Sequence, residues 1–177
     1  MNLRNRRIRG CDTGGWRAFC GETGALRAWL RESGSLTACL QRYGETTVQV
    51  LRQGLRLPSE DERRVLNLAA GHVVPVREVV LRVQGHVAVF AHTAANRAAR
   101  RRLRRAGRRP LATVLFADPL VKAGPLRYRS LDARHALYRS AAEWGDGIVP
   151  QRLAARRALF QRGAARLLVT EVFLPWS

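Results

Sequence analysis

The stretch Arg166-Leu167-Leu168-Val169-Thr170-Glu171-Val172-Phe173-Leu174-Pro175 constrains the fold more than any other part of the chain. It is dense in β-branched and large apolar residues, is entered through Arg162-Gly163 and is stopped by Pro175. That is the pattern of a strand. Successive strand side chains point to opposite faces. Odd positions therefore set Leu167, Val169, Glu171 and Phe173 on one face, and even positions set Leu168, Thr170, Val172 and Leu174 on the other. Both faces are apolar, so the strand belongs in the middle of a sheet. Its one carboxylate then points into an apolar layer, where an unpaired charge is strongly unfavourable. Glu171 must be paired, protonated or engaged with a ligand, and this strand alone does not choose between a structural ion pair and a functional role.

A second strand supplies a complement. In Val76-Arg77-Glu78-Val79-Val80-Leu81-Arg82-Val83 the odd face holds Arg77 with Val79, Leu81 and Val83. The even face, with Glu78 and Arg82, reads as wet. Arg77 and Glu171 thus sit on core faces of two strands, where they either neutralise each other or flank an anionic, hydroxyl-bearing ligand.

At 177 residues the chain reads as one domain, residues 24–177, after a loose segment over residues 1–23. No apolar run is long enough for a membrane helix, and the basic start leads into Gly10-Cys11-Asp12 rather than an apolar signal segment, so a cytoplasmic protein is expected. Cys11, Cys20 and Cys39 have neither disulfide-framework nor zinc-site spacing. His72, His86, His92 and His135 form no metal-binding pattern, and no cofactor is expected. The net charge is +19, yet Lys122 is the only lysine among 32 basic residues. Such one-sided use of arginine reads as compositional habit as much as a nucleic-acid footprint.

Helices are expected over residues 24–32 and 36–43, the second capped by Ser35, over 94–107 and over 110–116, with shorter helices near residues 60–68 and 133–144. Strands are expected over residues 46–52, 74–83, 87–93, 126–132, 154–161 and 166–174. This makes an α+β protein with a single antiparallel sheet of about six strands and helices packed on it. The arginines of 97–109 lack interleaved aromatic residues and read as a solvated face. Dinucleotide, P-loop and nucleophile-elbow motifs are absent. The amides of Leu36 and Leu111 fall in the first turns of their helices, where N–H groups lack intrahelical partners and suit a carboxylate.

Three segments then carry a family resemblance. Pro75 to Leu81, Ala106 to Phe116 and Leu167 to Pro175 resemble chorismate lyases (chorismate–pyruvate lyases) in order and spacing, over roughly residues 25–175. The resemblance implies a cytoplasmic, cofactor-independent enzyme, expected to be a monomer, that removes pyruvate from chorismate and leaves 4-hydroxybenzoate for ubiquinone synthesis. It implies a six-stranded antiparallel sheet. Arg77 matches the residue that grips the ring carboxylate, Leu36 and Leu111 the positions whose amides assist, and Glu171 the glutamate facing the ring hydroxyl, there to orient it or to accept a proton. Ala91 and His92, at an expected hairpin end, are candidate lid residues. His92 also stands where many relatives have arginine, so Arg127, Arg129 and His92 are the candidates for holding the enolpyruvyl carboxylate. Two other readings are a non-enzymatic module sensing small aromatic acids and an arginine-rich nucleic-acid binder.

Overall fold

In a computed structural model, residues 15–176 are described. The strands are β1 (Thr46–Arg56), β2 (Val74–Val83), β3 (His86–Ala95), β4 (Lys122–Ala123), β5 (Arg127–Leu131), β6 (Leu153–Arg162) and β7 (Ala165–Phe173). The helices are α1 (Gly24–Arg31), α2 (Leu36–Leu40), α3 (Glu60–Leu66), α4 (Arg100–Ala106), α5 (Ala112–Leu115) and α6 (Ala136–Ala142). All strand pairs are antiparallel, in the order β1-β2-β3-β7-β6-β4, with β5 pairing along the rest of the β6 edge. The sheet is thus six strands wide. The seventh strand is β4, two residues long and too short to register as an apolar period.

β7 lies between β3 and β6, and each of its faces is covered. On the near face, Leu30 of α1 and Leu36 and Leu40 of α2 pack with Val79, Leu81, Val89 and Phe173. Leu103 and Ala106 of α4 and Leu115 of α5 pack with Ala95 and Leu167. On the far face, Leu66 of α3 packs with Val74, Val76, Ala94 and Leu168, while Ala141 of α6 joins Val80, Phe90 and Val172.

Several local expectations shift. β3 runs on to Ala95, and helical structure starts only at Arg97. Asn96 is the reason: its Oδ1 caps Ala99 N at 3.1 Å and accepts from Arg166 N, while its Nδ2 donates to Ala164 O, tying the helix start to the β6–β7 hairpin. β2 and β3 join through Gln84-Gly85, both at positive φ (50° and 87°), the backbone of a tight two-residue hairpin turn. Ala91 and His92 are therefore not at a hairpin end: both lie mid-strand, paired to β2 and β7 at once. A lid cannot be made of residues held by both neighbours. Of the segment expected to be loose, residues 1–14, with Cys11, lie outside the described residues, while Trp16 is buried and Arg17 bridges Tyr128.

The even face of β2 is not wet. Glu78 is covered by α3, whose acidic first turn docks onto the sheet through charge. Ser59 and Glu62 form a capping box at the helix start. Glu62 and Glu78 contact the two nitrogens of His92 at 2.9 and 3.0 Å. Asp61 pairs with Arg157, whose guanidinium lies over the Trp16 ring. Burial opposes charge on His92, but hydrogen bonds to Glu62 and Glu78 outweigh it and push its pKa up to about 9. A raised folded-state pKa gives stability that is complete below the ordinary value of 6.5 and fades as pH climbs through about 9. Glu62 and Glu78 are both lowered by His92, so their contribution is lost on acidification instead. Stability to urea should therefore fall by roughly 2–3 kcal/mol between about pH 6.5 and about pH 9, and His92→Gln should flatten that slope.

Candidate active site

The near face holds a cavity of about 280 Å³, between the sheet, α2, α5 and residues 123–126. This is just below the range usual for ligand sites, about 300–1,000 Å³, and suits a small ligand. Register explains the void. Val79, Ala91, Glu171 and Arg156 are successive cross-strand partners over β2, β3, β7 and β6; the next row on the same face is Arg77, Thr93, Val169 and Ala158. Small side chains thus floor the middle, and charged ones stand at the sides. Strands lie about 4.8 Å apart and rise about 3.3 Å per residue, so the Arg77 and Glu171 backbones are separated by roughly 10 Å across and roughly 7 Å along the sheet. A six-membered ring with a polar group at each end fits that span.

Arg77 is only 2 % exposed. Its Nη2 donates to Gly107 O at 3.2 Å and Arg109 O at 2.9 Å, while its Nε is buried without a partner. Among the described residues no carboxylate pairs with it, and burial lowers its pKa. A buried cation answered only by neutral carbonyls is short of negative charge, a condition characteristic of ligand sites. Gly107 makes the arrangement possible: φ 53° with ψ −121° is a conformation open to glycine, and it aims the carbonyl at Arg77.

Two helix starts enclose the same cavity. Ser35 caps α2 by accepting from Ala38 N at 3.2 Å, which leaves Leu36 as the first helical residue. Leu111 stands one residue ahead of its expected place. α5 begins at Ala112, with Leu111 in the cap position ahead of it. The first bond of that turn is Thr113 N to Pro110 O. Leu36 and Leu111 both line the cavity together with Arg77.

Glu171 does not meet Arg77. Its Oε2 accepts from Arg156 Nε at 2.5 Å. Arg156 Nη1 also donates to the carbonyls of Trp29 (2.8 Å), Leu30 (3.3 Å) and Glu32 (2.5 Å), at the end of α1. Helix C-termini carry unsatisfied carbonyls and the negative end of the dipole, so they suit a guanidinium. Sequence reasoning missed Arg156, although a signal existed. The β6–β7 turn closes on Arg162 and Ala165, and counting outward in equal steps brings Arg156 opposite Glu171. Adjacent arginines then fall on opposite faces, Arg156 toward the cavity and Arg157 toward α3.

The candidates for a second anion-holding group are not in the cavity. His92 points to the far face, locked between Glu62 and Glu78. Arg127 and Arg129 alternate with Tyr128, which is the β5 partner of Arg156, so both face away with Arg157.

Comparison with known proteins places the chain in a family. The family model described as "Chorismate lyase" matches residues 22–177. A "Probable chorismate pyruvate-lyase" of Dechloromonas aromatica is 44% identical over 132 residues, 72% of this chain and 73% of that one. A protein of the same description from Ralstonia nicotianae is 41% identical over 135 residues, 72% of this chain and 69% of that one. In fold, the chain is similar to the C-terminal domain of the histidine utilization repressor of Pseudomonas syringae pv. tomato, with a TM-score of 0.56 at 13% identity over 73% of this chain and 92% of that one. A GntR-family transcriptional regulator of Bacillus cereus gives 0.56 at 10% identity over 75% of this chain and 93% of that one. At such identities the likeness concerns the fold alone.

Ala91 lies in the cavity floor between the Val79 and Glu171 strands. Ala91→Leu should fill the space above it at a stability cost of no more than roughly 1–3 kcal/mol, measured by urea unfolding.

Proposed function

The chain belongs to the chorismate lyase family, and we propose that it removes pyruvate from chorismate, leaving 4-hydroxybenzoate as the first committed step of ubiquinone synthesis in the cytoplasm. The observation that carries this reading is Arg77, a buried guanidinium without a carboxylate partner among the described residues, lining a cavity that Glu171 also lines. Arg77 binds the ring carboxylate, and the amides of Leu36 and Leu111 share its charge. Glu171 receives the ring hydroxyl. No helix among the described residues is long and apolar enough to cross a membrane.

The chemistry asks little of the protein beyond placement. The bond from the ring to the enolpyruvyl oxygen breaks, the hydrogen on the hydroxyl-bearing ring carbon leaves as a proton, and the departing enol takes up a proton to become pyruvate. Aromatisation supplies the driving force. The site contributes by holding the ring flat on Ala91, Thr93 and Val169, excluding water, and stabilising charge as the arm departs.

Incubation with chorismate, following pyruvate and 4-hydroxybenzoate together, tests the reading: equal amounts of both are expected. Tight binding of 4-hydroxybenzoate without pyruvate release would make the chain a non-catalytic receptor for aromatic acids. Arg77→Ala removes one partner of a buried charge pair, a loss of roughly 2–5 kcal/mol, so kcat/KM should fall at least about thirtyfold with product affinity falling too. Glu171→Gln keeps a hydrogen-bonding side chain of the same size. Activity within about tenfold is expected if Glu171 orients the hydroxyl, whereas a loss of about a hundredfold or more would assign it the proton.

A further inference from the structure

We propose that Arg156 binds the second carboxylate of chorismate, the one on the enolpyruvyl arm, through its Nη2. The assignment rests on the reading above. In chorismate the ether-bearing ring carbon adjoins the hydroxyl-bearing one. With the ring carboxylate on Arg77 and the hydroxyl at Glu171, the arm leaves the ring at the Glu171 end of the cavity, where Arg156 stands.

The state of that guanidinium supplies the rest. Arg156 is 3 % exposed and lines the cavity. Its Nε is on Glu171 and its Nη1 is on three carbonyls of residues 29–32. Nη2 has no hydrogen-bond partner among the described residues. Arg77 and Arg156 are the two cationic side chains that line the cavity, so a dianion with one carboxylate on Arg77 has one cation left for the other. The carbonyls hold the guanidinium in place before the ligand arrives, so little rotamer freedom remains to be lost on binding. The product has no second carboxylate, which makes Arg156 a group that favours substrate over product.

Two stable aromatic acids isolate this contact: 3-(carboxymethoxy)-4-hydroxybenzoate, which keeps both carboxylates, and 3-methoxy-4-hydroxybenzoate, which keeps one. With the full chain, calorimetry should show the dicarboxylate binding at least about tenfold tighter, and Arg156→Gln should shrink that ratio to within about threefold. Arg77→Ala should weaken both ligands alike. Equal affinities in the unmodified protein, or an unchanged ratio in folded R156Q, overturn the assignment. The unmodified protein's ratio decides by itself if R156Q does not fold. Pyruvate release from chorismate with a ratio near one sinks only Arg156, whereas no release and no binding of either acid sinks the lyase reading and Arg156 with it.

Discussion

Burying ionisable groups on both faces of one sheet obliges each of them to find a partner, and the organisation of this protein follows from how the two faces meet that demand. On the far face the account closes within the chain. His92 sits between Glu62 and Glu78, and Arg157 pairs with Asp61 against the Trp16 ring. These contacts fasten α3 across strands that would otherwise expose their even positions. On the near face the account stays open. Arg77 is held by two backbone carbonyls, and Arg156 divides its donors between Glu171 and the end of α1.

The two faces are linked by register. A single antiparallel sheet places Arg77, Thr93, Val169 and Ala158 in one row, and Val79, Ala91, Glu171 and Arg156 in the next. Between these rows, on the opposite side, run Glu78, His92, Thr170 and Arg157. A slip of one residue in any pairing would exchange the two faces and bury each charge against the wrong partners. The salt-bridged far face thereby supports the cavity: it makes the correct register the one in which His92 and Arg157 meet their carboxylates.

The local devices serve the same end. Gly107 turns its carbonyl toward Arg77, and the following residues lead directly into the start of α5. Asn96 binds the start of the α4 region to the β6–β7 hairpin, so the segment that reaches Arg77 is anchored to the strands that carry Glu171 and Arg156. The exposed arginines of α4 surround a narrow buried stripe of Leu103 and Ala106, and Arg102 pairs with Asp118 at 2.9 Å.

By itself the sequence determined the α+β class, the antiparallel hairpins, the central position of the last strand and the core-facing placement of Arg77 and Glu171 on their two strands, because alternation and turn residues are local properties that neighbours in the chain express directly. The start of α2 at Leu36 was equally legible from Ser35. Tertiary structure alone decided the rest. Glu78 read as wet because no local pattern reveals that α3 will fold across it, and His92 looked available until its two carboxylates, one from a distant helix, were in place. Arg156 stood opposite Glu171 by simple counting, yet its hold on residues 29–32 joins groups more than a hundred residues apart. Which charges are satisfied, and which remain open for a ligand, depends on contacts between elements distant in sequence, and such contacts exist only once the chain has closed upon itself.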